Sequence, residues 1–326
     1  ELTEALETLR RGGHEDDAEY LSVLSKLGTL DHSRGRYAQA EDRYRKALAL
    51  SERTYGRAHL VTCQLRLSLG NCLVSQGRRP AAEGVLLETL ADARKALGDE
   101  HRLVAAVLAV LGSTYRWMWR FDKAEAYSRE ALVLREKLLG KDHPDVALSL
   151  EDLGSVLMGR KEREDALRLV QRAEGICRRH FGESHPRLAR NLQMQSLLLR
   201  QMKDPTRALP PLEEACRILA RTFGADSPRA IATRSDLAYL HLDLGRPAEA
   251  QQLSEELLAL PGTTNQVRPG LLLTLGASRM RQGKHAEAEA PLRESLTGYG
   301  KLRANSWLQW NAASVLGACL SGQKKF

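Results

Sequence analysis

The apolar positions of this chain recur at helical spacing, in short segments separated by small turns. Within residues 144–159, and again within residues 163–180, apolar side chains lie at i, i+3, i+4 and i+7, the spacing of one face of an α-helix. Segments rich in Val, Ile and Thr, which would indicate strands, are few. The pattern predicts an all-α chain of paired helices. One pair has its helix A at Pro144–Gly159 and its helix B at Arg163–His180.

The helix pairs recur with a fixed period of 42 residues. Glycines mark this period without a single insertion, at Gly56, Gly98, Gly140, Gly182 and Gly224. Such a period is typical of solenoids, in which each repeat buries its apolar face against the next one. Small residues also recur inside helix A, at Gly28, Gly70 and Gly112. Because glycine in a helix interior costs roughly 1 kcal/mol relative to alanine, this recurrence predicts a close approach between helices A and B.

The segment that joins one repeat to the next predicts how the helices end and begin. In Gly140–Pro144, glycine is expected to end helix B in a left-handed cap, and proline to open the next helix A. His143 lies at the N-cap between them, and Ser227 takes the same position in a later repeat. The N-cap histidines occur once per repeat, roughly 20 Å apart or more if helices stack at ordinary distances. We therefore expect caps and no metal site.

Composition and charge narrow the range of partners. The chain has 49 Lys and Arg against 41 Asp and Glu, for a net charge of +8, but the two signs are interleaved. A nucleic-acid surface would need its basic residues gathered on one stripe, so the composition argues against a nucleic-acid partner. No apolar stretch reaches the roughly 18 residues of a membrane span, which argues against a membrane partner.

Cysteine usage and motifs bear on compartment and chemistry. The five cysteines are odd in number and form no Cys-x-x-Cys pair, which argues against disulfides and zinc and favours a reducing, cytoplasmic setting. The sequence contains no phosphate loop, no dinucleotide fingerprint, no His-Glu-x-x-His and no Gly-x-Ser-x-Gly. We therefore expect no enzymatic activity and no cofactor.

Two segments of the chain resemble the two helices of a tetratricopeptide repeat (TPR). Residues 145–158 (DVALSLEDLGSVLM) resemble its helix A, and residues 121–132 (FDKAEAYSREAL) resemble its helix B. The period is similar to that of the 42-residue form found in kinesin light chains and in many bacterial signalling proteins. The resemblance covers essentially the whole chain.

The resemblance implies an α-α superhelix, which is a right-handed solenoid of antiparallel helix pairs with the A helices lining its concave side. A single solenoid would then span residues 1–326, with about seven full repeats, a leading helix at 1–11 and a trailing helix at 303–323. The chain begins with Glu1, already inside a helical pattern, and ends where the period predicts another helix. We interpret it as a fragment of a longer protein.

By the same resemblance, certain positions of helix A face the groove and are candidates for contact with a peptide. They are Asn71, Ser113, Arg116, Trp117, Glu151, Asp152, Ser155, Met158, Arg190, Gln193, Met194, Arg200, Asp236 and Tyr239, and Leu197 and Ala232 are further positions on the same face. Trp117 and Met158 would supply adaptable apolar contact, and the amides would bond an extended backbone. The alternative is that Trp117 and Met158 pack between neighbouring A helices, while the charges are only solvated.

An aromatic segment, Trp117 to Phe121, lies at the end of one helix A. Trp119 in this segment replaces the turn glycine that is found at Gly35 and Gly77. A buried Trp119 would fill the gap between helices A and B, whereas an exposed one would mark a contact site. We expect it to be buried.

These features predict a non-enzymatic module that binds a protein or peptide along its concave face. By resemblance, it would be the sensor or docking arm of a larger bacterial signalling protein, with an effector domain in the same parent chain. An alternative is a structural scaffold whose repeats drive self-association without a peptide ligand. A third interpretation, an RNA-binding helical repeat, is disfavoured because such arrays use a shorter repeat and a basic stripe.

Overall fold

The computed structural model describes residues 2–14, 17–302 and 306–323. These residues form sixteen α-helices and no strand. The chain divides into two compact units, residues 1–176 and residues 177–326. The first unit contains α1 (Leu2–Arg11), α2 (Ala18–Ser33), α3 (Tyr37–Tyr55), α4 (Leu60–Ser75), α5 (Arg79–Leu97), α6 (Arg102–Trp117), α7 (Phe121–Leu139), α8 (Pro144–Gly159) and most of α9 (Arg163–Phe181). The second unit contains the end of α9, then α10 (Pro186–Gln201), α11 (Pro205–Phe223), α12 (Pro228–Asp243), α13 (Pro247–Ala259), α14 (Arg268–Arg281), α15 (His285–Leu302) and α16 (Trp307–Gly322).

Each unit is a stack of helix pairs. In the first unit α2 packs against α3, α4 against α5 and α6 against α7, and α6 also contacts the A helices on either side of it, α4 and α8. In the second unit the pairs are α10 with α11, α12 with α13 and α14 with α15. This confirms the predicted all-α architecture of stacked helix pairs. The single solenoid across residues 1–326 stays a prediction, and the expected start of the trailing helix at Arg303 lies outside the described residues.

The two helices of a pair meet at a residue that has no side chain. A Cβ atom added to Gly70 of α4 would lie 2.6 Å from Cδ2 of Leu86 on α5, closer than carbon atoms can approach. The same contact occurs between Gly28 and Tyr44, where the added Cβ would lie 2.8 Å from the ring. Leu86 is fully buried. The close approach predicted from the recurring glycines is therefore confirmed.

The glycine that ends helix B adopts a conformation that differs from the one expected. The five glycines at the 42-residue period have positive φ, between 76° and 89°. Their ψ angles, from 148° to 168° where measured after α3, α5, α7 and α11, lie far from the left-handed helical region. The expected left-handed cap is wrong. The backbone instead takes an extended step at positive φ that is essentially open to glycine alone.

The N-caps predicted at the recurring histidines and at Ser227 are formed. Nδ1 of His101 accepts a hydrogen bond from the backbone N–H of Leu103 at 3.0 Å. His59, His143 and His185 make the equivalent bond in their own repeats. At the fifth position, Oγ of Ser227 accepts from the backbone N–H of Ala230 at 3.3 Å. The recurring histidines therefore satisfy free N–H groups at the starts of helices.

The five cysteines are all buried and free of disulfide bonds. Within the part of the chain that the structure describes, no group of three or more His, Cys, Asp or Glu side chains could hold a metal ion. Nor does any helix there combine the length and the apolar character that crossing a membrane requires.

Replacing Gly70 with alanine is expected to lower the melting temperature, because the new Cβ would overlap Leu86. Overpacking of this kind costs about 1–3 kcal/mol, which exceeds the roughly 1 kcal/mol that alanine gains in a helix interior. Gly84 in α5 is the matched control, since a Cβ there would meet nothing within 4 Å. Thermal unfolding followed by circular dichroism should show Gly84→Ala above the wild type and Gly70→Ala below it. The reverse order would contradict close packing at Gly70.

Replacing the N-cap His101 with alanine is expected to destabilise the chain by about 0.5–2 kcal/mol, because the N–H of Leu103 loses its acceptor. His101→Ser should keep or improve the cap, since serine is a strong N-cap residue. The measurement is urea unfolding of the two variants and the wild type. Equal losses for alanine and serine would mean that the imidazole ring contributes through packing.

Candidate functional site

The candidate groove residues divide between the two units. The first unit holds Asn71, Ser113, Arg116, Trp117, Glu151, Asp152, Ser155 and Met158. The second unit holds Arg190, Gln193, Met194, Leu197, Arg200, Asp236 and Tyr239. All those of the second unit lie on two consecutive A helices, α10 and α12.

A cleft opens between α10 and α12. These two helices approach each other less closely than α12 and α14 do. One part of the cleft measures about 340 Å³ and is lined by Arg190, Gln193, Met194, Ser196, Leu197, Arg200, Leu212 and Asp236. The other part, about 390 Å³, is lined by Pro186, Arg190, Gln193, Leu219, Arg229, Ala232 and Thr233. Arg190 and Gln193 border both parts, so the two form one continuous candidate site.

Side chains bridge the walls of the cleft at two levels. Nε2 of Gln193 on α10 donates a hydrogen bond to Oγ1 of Thr233 on α12 at 2.7 Å. Further along the helices, Nε of Arg200 donates to a carboxylate oxygen of Asp243 at 3.0 Å. The guanidinium of Arg200 also lies 4.6 Å from the ring centroid of Tyr239, a cation–π distance. These contacts hold the two walls in register without closing the space between them.

The interior of the cleft combines accessible apolar surface with a hydroxyl that has no partner. Met194 and Leu197 project from α10, and Leu197 is 40% exposed. Ser196 is only 1% exposed, and its Oγ has no hydrogen-bond partner among the described residues. A buried hydroxyl without a partner costs about 1–3 kcal/mol. Oγ is itself closed to solvent, so a polar ligand atom would reach it only by displacing part of the cleft wall.

Charge is distributed unevenly along the cleft. Arg190 and Arg229 face the larger part, and among the described residues neither has a carboxylate partner. The stem of Arg229 is placed by a contact of its guanidinium with Phe223, 5.0 Å from the ring centroid. In the smaller part, Asp236 remains accessible to solvent, but the protein around it limits its hydration. This partial loss of hydration raises the pKa of the Asp236 carboxyl, and the positive charge of the nearby Arg200 opposes the shift.

The candidate residues of the first unit differ in their exposure to solvent. Trp117 is 50% exposed, whereas Asn71, Ser113, Arg116, Asp152, Ser155 and Met158 are half-buried. Glu151 is only 5% exposed, and its expected place on the binding surface stays a prediction. The described part of the first unit does contain a cleft of about 390 Å³ between α2 and α4, lined by residues such as Ser25 and Gln64, but none of the candidates lines it.

The expected burial of Trp119 is wrong. Its side chain is 80% exposed, and its ring meets Phe121 edge-on at a centroid distance of 5.8 Å. The gap between helices A and B in this pair is filled instead by residues of the helices themselves, among them the fully buried Leu108 and Leu111. The alternative for an exposed Trp119, a contact site, stays a prediction.

Several residues of the cleft were missed by the sequence pattern. They are Pro186, Ser196, Leu212, Leu219, Arg229 and Thr233. Ser196 carried a signal, because it stands where Gly28, Gly70 and Gly112 stand in earlier repeats. Leu212 and Leu219 lie on α11, a B helix, and the pattern directed attention to A helices alone.

Comparison with known proteins identifies similar folds. The family model of the MalT-like TPR region matches residues 3–297. A signal transduction ATPase with numerous domains (STAND) from Pyrococcus horikoshii, which has a tetratricopeptide repeat sensor, is 14% identical with a TM-score of 0.70, over 91% of this chain and 44% of that one. A Rap protein complexed with competence and sporulation factor is 12% identical with a TM-score of 0.61, and the match covers 96% of this chain and 78% of that one. A putative kinesin light chain from Podosopora anserina is 21% identical with a TM-score of 0.55, and the match covers 60% of this chain and 93% of that one. No curated protein matches the sequence.

Replacing Asp236 with asparagine is expected to raise the melting temperature at neutral pH. The folded-state pKa of Asp236 lies above its ordinary value of 3.8, so the ionised carboxylate costs stability at higher pH. The cost disappears as the pH falls through the raised pKa towards 3.8. The difference between variant and wild type should therefore be present near neutrality and vanish in acid.

Thermal unfolding over a series of pH values tests this expectation. Protonation of the other carboxyl groups occurs in both proteins, so its effect cancels in the difference between their melting temperatures. A lower melting temperature of Asp236→Asn at neutral pH would mean that the attraction of Arg200 outweighs the effect of burial.

Proposed function

We propose, since this chain belongs to the family of MalT-like TPR regions, that it is a binding module whose ligand is a peptide or an extended protein segment held between α10 and α12. The role is recognition rather than catalysis. The observation that carries the proposal is the cleft itself, where the uncompensated Arg190 and the apolar Leu197 line one space beside the buried, unpartnered hydroxyl of Ser196.

The chemistry of the cleft suits a peptide. An extended backbone presents alternating donors and acceptors, which could meet the amide of Gln193. Met194 is unbranched and adapts to apolar side chains of different shapes. Arg190 and Arg229 favour a ligand group that carries negative charge. Each part of the cleft lies within the size range of ordinary ligand pockets, roughly 300–1,000 Å³.

The walls of the cleft are already connected before a ligand binds. The hydrogen bond from Gln193 to Thr233 and the ion pair of Arg200 with Asp243 fix α10 against α12. Preorganisation of this kind lowers the conformational entropy that binding would otherwise cost. The site therefore resembles a rigid receptor more than a loop that folds around its ligand.

The similar structures support a role in signalling. One of them is complexed with a sporulation factor, and another carries a tetratricopeptide repeat sensor within a larger ATPase. By analogy, this chain would be the sensor or docking arm of a larger protein, and the effector domain would lie elsewhere in the same parent polypeptide. The analogy extends to the role and leaves the ligand to be identified.

Replacing Leu197 with aspartate is expected to weaken binding of a peptide ligand by roughly tenfold or more, because a carboxylate would stand in the apolar part of the cleft. Ligands are obtained by selecting displayed random short peptides on the wild-type chain and measuring their affinities by fluorescence anisotropy. The matched control is Val133→Asp on α7, which makes the same kind of change at a residue that is 64% exposed and far along the chain from the cleft.

The control variant should bind within about twofold of the wild type, since such surface changes rarely exceed 0.5 kcal/mol. If the selected peptides bind Leu197→Asp as tightly as they bind Val133→Asp, the cleft is not the binding site. If no peptide is selected and sedimentation shows that the molecular mass of the protein rises with its concentration, the result supports the self-associating scaffold instead.

A further inference from the structure

Trp119 occupies a turn whose backbone favours glycine. Its φ is 60°, in the left-handed region that bulky residues rarely adopt. The equivalent turns of other repeats have φ between 64° and 78°, and their residues are Gly35, Gly77, Lys161, Lys203, Gly245 and Gly283. The turn geometry is therefore set by the fold, and glycine would adopt it without strain. A tryptophan at this position costs stability that the turn does not require.

The indole of Trp119 is exposed to solvent, and the residue that it contacts is tightly packed. It is 80% exposed, the highest exposure among the large hydrophobic side chains described. Its edge-on contact is with Phe121, the first residue of α7. The Phe121 ring in turn packs against the backbone at Gly159 of α8, where an added Cβ would overlap it. Burial therefore does not account for Trp119, although the ring beneath it is well anchored.

A second exposed tryptophan lies at the end of α6, close to Trp119 in the sequence, with two arginines beside its ring. Trp117, two residues away, is 50% exposed. The guanidinium of Arg116 lies 4.5 Å from its ring centroid, and that of Arg79 lies 5.6 Å away. Among the described residues Arg79 has no carboxylate partner, and its Nε is buried without a hydrogen bond. A cation held beside an aromatic ring without an anion is suited to receive one.

Two other charges near these residues are paired. Arg120 lies 3.4 Å from the carboxylate of Glu83, and Asp122 pairs with Arg160. Among the described residues, Arg79 has no carboxylate partner, and neither does Lys123 of α7, whose ammonium lies 5.2 Å from the ring centroid of Tyr115. Asp122 is largely exposed, three residues from Trp119, so acidic and basic side chains alternate here. The mixture of signs favours a protein partner over a nucleic acid, which needs an unbroken basic stripe.

We propose that Trp117, Trp119, Arg79 and Arg116 form a second docking surface, in the first unit, for an acidic segment of a partner protein. A carboxylate of the partner binds at Arg79, and an adjacent apolar side chain packs on the indole of Trp119. Tryptophan and arginine are the residues most enriched at energetic hot spots of protein interfaces. This surface shares no residue with the cleft between α10 and α12, so the partner here is additional to the ligand there.

The decisive variant is Trp119→Gly, which separates binding from stability. Glycine relieves the positive φ, so the melting temperature should rise by about 2 °C or more. Binding of the acidic segment should fall by roughly tenfold or more, because the exposed indole is gone. A merely structural tryptophan would show the opposite, with a lower melting temperature on its removal.

Lys161→Gly is the matched control. Lys161 occupies the same turn position in the next repeat, with φ of 69°. Its replacement should raise the melting temperature in the same way but leave binding within about twofold. Arg79→Gln is the second test variant, and it should weaken the binding of acidic peptides while leaving the fold unchanged.

The probe is a library of displayed random short peptides, selected on the wild-type chain after depletion on the Trp119→Gly variant. The recovered peptides should be enriched in Asp and Glu, bind Trp119→Gly and Arg79→Gln weakly, and bind Leu197→Asp normally. This last result distinguishes the surface from the cleft, so that either proposal can fail alone.

Several results would overturn the proposal. They are the recovery of no peptide that depends on Trp119, recovery of peptides without acidic residues, and unchanged affinity for Trp119→Gly. Binding of a fluorescent oligothymidylate that depends on Trp119 would assign the surface to single-stranded nucleic acid instead. A dimer in sedimentation velocity that Trp119→Gly dissociates would assign it to a second copy of the chain.

Discussion

The close approach of helices A and B within each pair is the constraint on which the rest of this structure depends. Gly70 lies against Leu86 with no room for a Cβ atom, and the same spacing of sixteen residues joins Gly28 to Tyr44. In α10 the equivalent residue is Ser196, and the residue opposite it is Leu212. The serine is accommodated while α10 and α11 stay closely packed, and both Ser196 and Leu212 line the cleft. The departure from glycine thus coincides with the place where the stack opens.

What every repeat shares could be predicted from the sequence, because a period averages over local differences. The limits of α8 and the N-cap bonds of the recurring histidines follow from apolar spacing and turn chemistry alone. The ψ of the linking glycines could not be predicted in this way. A glycine before an N-cap is compatible with more than one positive-φ conformation, and the choice depends on where the next helix must begin. Sequence pattern identifies the residue, whereas packing selects the angle.

The candidate site was predictable to the extent that it lies on the faces of A helices. Arg190, Gln193 and Asp236 meet at one cleft because their helix faces point the same way. Glu151 occupies a comparable helix position and is buried, because neighbouring helices cover it in the first unit. Leu212 comes from a B helix, and it reaches the site only where the spacing between A helices is wide. That spacing depends on contacts between repeats, which the 42-residue period leaves unspecified.

The features that suggest binding differ in weight when their energetic costs are compared. An arginine without a carboxylate partner at the surface costs little, since water solvates it and most exposed ion pairs contribute about 0–1 kcal/mol. A buried hydroxyl without a partner costs about 1–3 kcal/mol, and a bulky residue at positive φ costs about 1–2 kcal/mol. Ser196 and Trp119 therefore carry more of the argument than Arg190 or Arg79 do. Glycine would remove the cost at either position, and each cost falls beside accessible surface that a ligand could cover. Costs that folding does not require are most simply explained if binding recovers them.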